Sequence, residues 1–184
     1  AVKWLKEFEG DEPIISSSGS CVAMIRKFFP DLFADDIENL ERSRRIAAKT
    51  YELSEFLVNG LGISGLDGKF EQSITYHKCC HSLRELGVDG QPLVLLSSLK
   101  GIKIHPLKRS EVCCGFGGAF AINMPKISTA MLEEKVGYVL ETGADFLVAG
   151  DTGCIMHLEG GIKRQGHDIK VVHTAEILNR AIRN

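Results

Sequence analysis

At 184 residues, 44% of them hydrophobic and 25% charged, the chain has ordinary globular composition and enough length for one domain or two small ones. Its 24 acidic and 22 basic residues are interspersed and sum to −2, so no basic face is announced for nucleic acid or anionic lipid. No apolar run approaches the roughly 20 residues that cross a bilayer, and Ala1 to Glu9 carry charge inside a helical pattern, unlike a signal peptide, which reads as a cytoplasmic protein without a transmembrane segment.

In chain order, Trp4 to Phe8 read as the end of an amphipathic helix broken by Gly10-Asp11-Glu12-Pro13, and a chain that begins in mid-helix reads as truncated. Ile14-Ile15 is a short strand. The turn Ser16 to Cys21 leads into a helix from Val22 to Phe29, closed by Pro30. From Asp35-Asp36 onward, Ile37, Leu40, Ala47, Tyr51 and Phe56 recur on one face and predict a long helix that Gly60 stops, with Glu38, Glu41, Arg42, Arg44 and Arg45 on its solvated side. Gly60 to Gly68 is a glycine-rich loop.

Ser73 to Tyr76 is a β-prone run that delivers His77-Lys-Cys-Cys-His81 into a turn, followed by a short helix from Ser82 to Leu86. Gln91 to Leu99 predicts a helix, Ile102 to Ile104 a strand, and Asn123 with Pro125 a helix start, with Ile127, Met131, Leu132, Val136 and Val139 inside. Asp145 to Ala149 is a buried strand, Gly150 to Cys154 a turn, and a short helix follows from Ile155. A strand at Ile169 to Val172 and a helix from Thr174 to Ile182 close the chain.

Strands alternating with helices predict an α/β fold with a parallel sheet flanked by helices on both faces. The turns after the strands of such a sheet share one edge, where ligands bind, and Cys21, Cys79-Cys80 and Cys154 are each expected there. Glu12 to Met24 also matches Asp145 to His157 position for position in character, which suggests two related halves, the first one truncated. The expected division is a remnant of the first half with a connecting helix over 1–60, a loop or linker over 61–72, and the second half over 73–184.

Six cysteines, at positions 21, 79, 80, 113, 114 and 154, could form three disulfides, but a chain of this length without a secretory signal has little need of them. Metal ligation is the better reading. The stretch Glu111-Val-Cys-Cys-Gly-Phe-Gly-Gly-Ala-Phe120 carries the strongest signal: Cys113 and Cys114 point apart in an extended strand, whereas a tight turn at Gly115, Gly117 and Gly118 swings both sulfurs toward one centre. Vicinal thiolates favour a multi-iron cluster, with its several metal corners, over one zinc ion.

Together, Ser18-Gly-Ser-Cys21, His77-Lys-Cys-Cys-His81 with Arg84, Cys113-Cys-Gly-Phe-Gly-Gly-Ala-Phe120, Met131-Leu-Glu-Glu-Lys135 and Asp151-Thr-Gly-Cys154 resemble the cysteine-rich, or CCG, domain family. That family includes the heterodisulfide reductase B subunit and the iron-sulfur subunits of glycolate and lactate oxidation, and the pattern is nearest to the lactate utilisation protein A group. The resemblance implies an iron-sulfur electron-transfer subunit of a complex oxidising a 2-hydroxy acid, lactate or glycolate, in company with other subunits. It implies cluster ligation by Cys80, Cys113, Cys114 and Cys154, with Gly115 and Gly117 shaping the turn. Cys79 is open as an alternative to Cys80, and Cys21 and His157 as further ligands.

One departure stands out: the closing Cys-x-x-Cys of the family reads Cys154-Ile-Met-His157, so the fifth sulfur of a noncubane cluster is missing at that place, while four thiolates suffice for a [4Fe-4S] centre. His77 and His81 are candidates to donate hydrogen bonds around the centre or to ligate zinc. A zinc-binding structural module and a metal-free vicinal-dithiol redox protein are the alternatives.

Overall fold

The computed structural model describes residues 1–183. The first sixty residues carry a two-stranded parallel sheet and its helices, with Leu57 and Val58 packing on the core of the larger sheet. Helix α1 (Val2–Glu7) is followed by strand β1 (Ile14–Ser16) and helix α2 (Gly19–Ala23), which widens into a π-helical turn (Met24–Phe28) and ends as α3 (Phe29–Leu32). Pro30 therefore lies inside the helical run rather than after it. The π-helical turn ends directly before α3, whose first turn holds Pro30, and a proline at that position has no helical N–H to lose.

The long helix predicted from Asp35 to Gly60 is a helix, a strand and a second helical segment. Helix α4 (Ile37–Ala48) is capped by Asp36, whose side chain accepts from Asn39 N, and stops at Lys49. Strand β2 (Thr50–Glu52) then pairs in parallel with β1, Ile14 opposite Thr50 and Ser16 opposite Glu52. Glu52 opens α5 (Leu53–Glu55) through a capping box with Glu55, and a π-helical turn (Phe56–Gly60) completes it. Helical periodicity spanned the break because Ala47, Tyr51 and Phe56 share a spacing, yet β-prone Thr50-Tyr51 ahead of a capping box was the local signal.

The rest of the chain forms a four-stranded, all-parallel sheet in the order β4-β3-β5-β6. Strand β3 (Ser73–His77) leads through α6 (Cys80–Leu86) and α7 (Gln91–Ser97) to β4 (Lys103–His105). The chain then runs through α8 (Ala119–Asn123) and α9 (Pro125–Glu141) to β5 (Phe146–Ala149), and through α10 (Thr152–Arg164) to β6 (Lys170–His173) and α11 (Thr174–Arg183). Helix α8 fell in a stretch read only as glycine turn and helix start, and α10 begins at Thr152 and is longer than expected.

Strand β5 is buried along its whole length and separates two apolar layers. On one face Ile74, Tyr76, Phe146 and Val148 pack on Leu95 and Leu96 of α7 and on Ile177, Leu178 and Ala181 of α11. On the other, Leu147, Ala149 and Val171 pack on Leu132, Val136 and Val139 of α9 and on Leu158 and Ile162 of α10. At about 1.5–3 kcal/mol for each large side chain taken out of water, these two layers dominate the fold's stability. Among the described residues no helix is long and apolar enough to cross a membrane.

Candidate metal centre

Strands β3 and β5 are neighbours, but the chain leaves β3 toward β4 on one side and leaves β5 toward β6 on the other. This is the topological switch point, where parallel sheets leave a crevice beyond their carboxyl ends. Cys79 and Cys80 sit at the N-cap and first position of α6, directly after β3, and Cys154 lies in the first turn of α10, directly after β5. The loop between β4 and α8 brings Cys113 and Cys114 to the same place.

That loop depends on its glycines. Gly115, Gly117 and Gly118 take φ of 92°, 52° and 57°, values at which a side chain would be strained. At Gly115 space forbids it as well, since a Cβ there would meet the Ser128 carbonyl oxygen at 2.6 Å. The resulting curl turns the Gly115 N–H toward Cys113 Sγ at 3.4 Å.

Five sulfurs converge on a cavity of ≈ 260 Å³, lined by Cys79, Cys80, Cys113, Cys114 and Cys154, with Ser20, His81, Phe116 and Asp151 completing its wall. Cys80 Sγ lies 4.0 Å from Cys113 Sγ and 3.8 Å from His81 Nδ1. Cys113 adjoins Cys114, Cys114 adjoins Cys154, and Cys154 adjoins Cys79. Cys79 is thus in the ring with Cys80 rather than an alternative pointing elsewhere. Cys21 is exposed, at the start of α2, and lies off the cavity wall. His157 also lies off it, with its ring 5.7 Å from Phe116 and Nε2 3.5 Å from Ser128 Oγ.

The thiols compete for one negative charge. Cys113 is held well below the usual thiol range by hydrogen bonds from Cys114 and Cys80 and by the Gly115 N–H. Cys80 and Cys114 are pushed far up, first by their bonds to the Cys113 thiolate and then by burial. Cys154 is also raised: Cys114 pulls it down, but its bond to Cys79, its burial and the charges of Cys79 and Asp151 outweigh that pull. A ring that ionises one member at the expense of the others is what a multivalent cation reverses, because the cation turns mutual repulsion into shared attraction. The donor set, all soft sulfur, suits an iron-sulfur cluster or zinc.

His77, the last residue of β3, is fully buried, and neither ring nitrogen has a hydrogen-bond partner among the described residues. Burial, and then the charge of Lys135, push its pKa down to about 3, so the ring is neutral. Its nitrogen and the sulfurs of Cys114 and Cys154 all lie within 4.8 Å of one another.

Two further residues shape the site without having been singled out for it. Lys135, only 1% exposed on α9, donates from Nζ to the Arg109 carbonyl at 2.6 Å and so braces the loop ahead of Cys113. Asp151 caps α10 through Gly153 N at 3.0 Å with Oδ1, while Oδ2 accepts from Ser18 Oγ at 3.1 Å, Ser20 N at 3.1 Å and Ser20 Oγ at 2.7 Å. Ser18 is itself the cap of α2, so the two strand-turn-helix units that resemble each other in sequence meet cap to cap. A Ser-x-Ser before Cys21 and an Asp before Thr-Gly-Cys154 were the available signals.

Residues 74–159 match the family model described as the cysteine-rich domain, CCG. The chain is 44% identical over 177 residues to lactate utilization protein A of Bacillus licheniformis, covering 96% of this chain and 74% of the relative. It is 45% identical over 175 residues to the protein of that name from Oceanobacillus iheyensis, covering 95% and 71%. With that of Macrococcus caseolyticus it shares 42% identity over 182 residues, covering 99% and 74%.

Proposed function

Because the chain belongs to the lactate utilization protein A family and carries its cysteine-rich CCG domain, we propose that it is an iron-sulfur electron-transfer subunit of a 2-hydroxy-acid oxidising system, with lactate as the substrate. Cys80, Cys113, Cys114 and Cys154 hold the centre in this reading, and Cys79 stands beside them as a fifth thiolate. The observation that carries it is the meeting of five cysteines from three separate loops in one cavity at the sheet's switch point.

A bound cluster supplies one-electron transfer. The chain's own part is to hold it and set its potential. The Gly115 N–H donates toward sulfur and stabilises the more negative state, and the cavity is buried on the side of Cys79, Cys114 and Cys154 and open to solvent at Gly117 and Gly118. Hydride transfer from a hydroxy acid is the work of an organic cofactor, and in this reading it falls to partner subunits.

The test is anaerobic purification with iron and sulfide analysis. The expected result is a brown protein with about four irons whose visible absorbance bleaches on reduction. A protein that stays colourless and iron-free after anaerobic reconstitution overturns the proposal. The second reading, a structural zinc site, is favoured by the short spacing of the donors, 4.0 Å between Cys80 and Cys113. One equivalent of zinc that survives anaerobic iron loading would select it.

A further inference from the structure

We propose that His77 supplies a nitrogen ligand to this metal centre, at the corner nearest Cys114 and Cys154, an assignment that rests on the metal-binding reading above. An imidazole carries two polar nitrogens, and leaving a buried polar group unpaired costs about 1–3 kcal/mol. At zero exposure His77 makes no well-formed hydrogen bond through either nitrogen, and the Ser110 backbone nearby could satisfy at most one of them. As packing alone the residue is costly, since an apolar side chain of similar volume would fill the same space without leaving a buried nitrogen unpaired.

Its direction is set by the sheet. His77 pairs in register with Ala149, and Thr75 with Leu147, which puts both side chains of β3 on the face covered by α9 and α10. Cys114 and Cys154 belong to that same layer. With metal–sulfur and metal–nitrogen bonds of about 2.3 and 2.1 Å, two donors on one tetrahedral ion lie about 3.6–3.8 Å apart. The observed separations, within 4.8 Å, close with at most about one ångström of movement. The other two histidines near the sulfurs lack these features: His81 is part-exposed on α6, and His157 turns toward Phe116 and Ser128.

The test uses the full chain, loaded anaerobically with iron and sulfide, with histidine labelled by nitrogen-15. Pulsed electron paramagnetic resonance of the reduced protein is expected to show a strongly coupled histidine nitrogen in the wild type, in His81→Ala and in His157→Ala. The coupling should vanish in His77→Leu and His77→Gln. Resistance of the bound metal to a chelator, whichever metal the wild type holds, should fall 10–100-fold in both variants.

The metal-free His77→Leu protein should melt no lower than the metal-free wild type, a result that separates ligation from mere packing. His77→Gln keeps the test open if the leucine variant fails to fold. Metal bound with no strongly coupled histidine nitrogen, or variants that retain metal as the wild type does, would overturn this assignment and leave the cysteine centre standing. A wild type that binds no metal would overturn both.

Discussion

Replacing Asp151 by Asn changes one atom and tests how the two strand-turn-helix units are joined. Oδ2 accepts from three donors and Oδ1 from a fourth, the Gly153 N–H. Serine hydroxyls can rotate to accept instead, but the backbone N–H groups of Ser20 and Gly153 cannot. Whichever way the Asn amide is flipped, its NH2 faces one of them. The orphaned donor costs about 1–3 kcal/mol, and the remaining bonds lose charge assistance of about 1 kcal/mol each.

Part of this is returned, because Asp151 is only 7% exposed and burial is the largest single influence on its carboxyl, acting upward. The hydrogen bonds from Ser20, Ser18 and Gly153 nonetheless bring the folded pKa below 3.8, so the bonds win and the net change is destabilising, by about 2–4 kcal/mol. Urea unfolding of the metal-free chain measures it, and a cycle with Ser20→Ala should give a coupling energy above about 1 kcal/mol. Since the folded pKa is depressed, the carboxylate's contribution is complete above pH 3.8 and fades as pH falls through the folded value, a dependence Asp151→Asn should lack. A loss under about 0.5 kcal/mol, with no coupling to Ser20, would refute the reasoning.

Gly115→Ala places a Cβ at φ 92° and 2.6 Å from the Ser128 carbonyl, so it should cost at least about 2 kcal/mol and strip the metal, as read by metal analysis after gel filtration. Serine at Cys80, Cys113, Cys114 or Cys154 should remove most of the bound metal, whereas Cys21→Ser, off the cavity, should retain it all; Cys79→Ser should fall between, as the same analysis would show. Lys135→Met withdraws a buried positive charge whose field reaches Cys113 and Cys114 and should lower the midpoint potential by tens of millivolts in a redox titration.

Most of the cysteine cluster could be read from residue types and order, because paired cysteines after strands and beside a glycine-bearing turn have few purely structural uses. The sheet was legible for a similar reason: β3 is a short β-prone run and β5 a short apolar one, each between turn residues. Other features depended on partners far away in sequence. Helix α4 breaks at Lys49 because Thr50 to Glu52 find β1, a pairing that local periodicity cannot register. His77 is in sequence a candidate donor or zinc ligand expected in a turn, and what the sequence does not show is that it ends β3 and is fully buried. Asp151 reads only as part of the turn that carries Cys154, and only the fold brings Ser18 and Ser20 to its second oxygen.

The layer of Ile74, Tyr76, Phe146 and Val148 against α7 and α11 contains no cysteine, and every sulfur of the cavity belongs to the opposite layer or to the loops above it. Half of the hydrophobic interior is therefore indifferent to cargo. The metal-free chain is expected to keep this foundation while the rim of cysteine-bearing loops above it loosens.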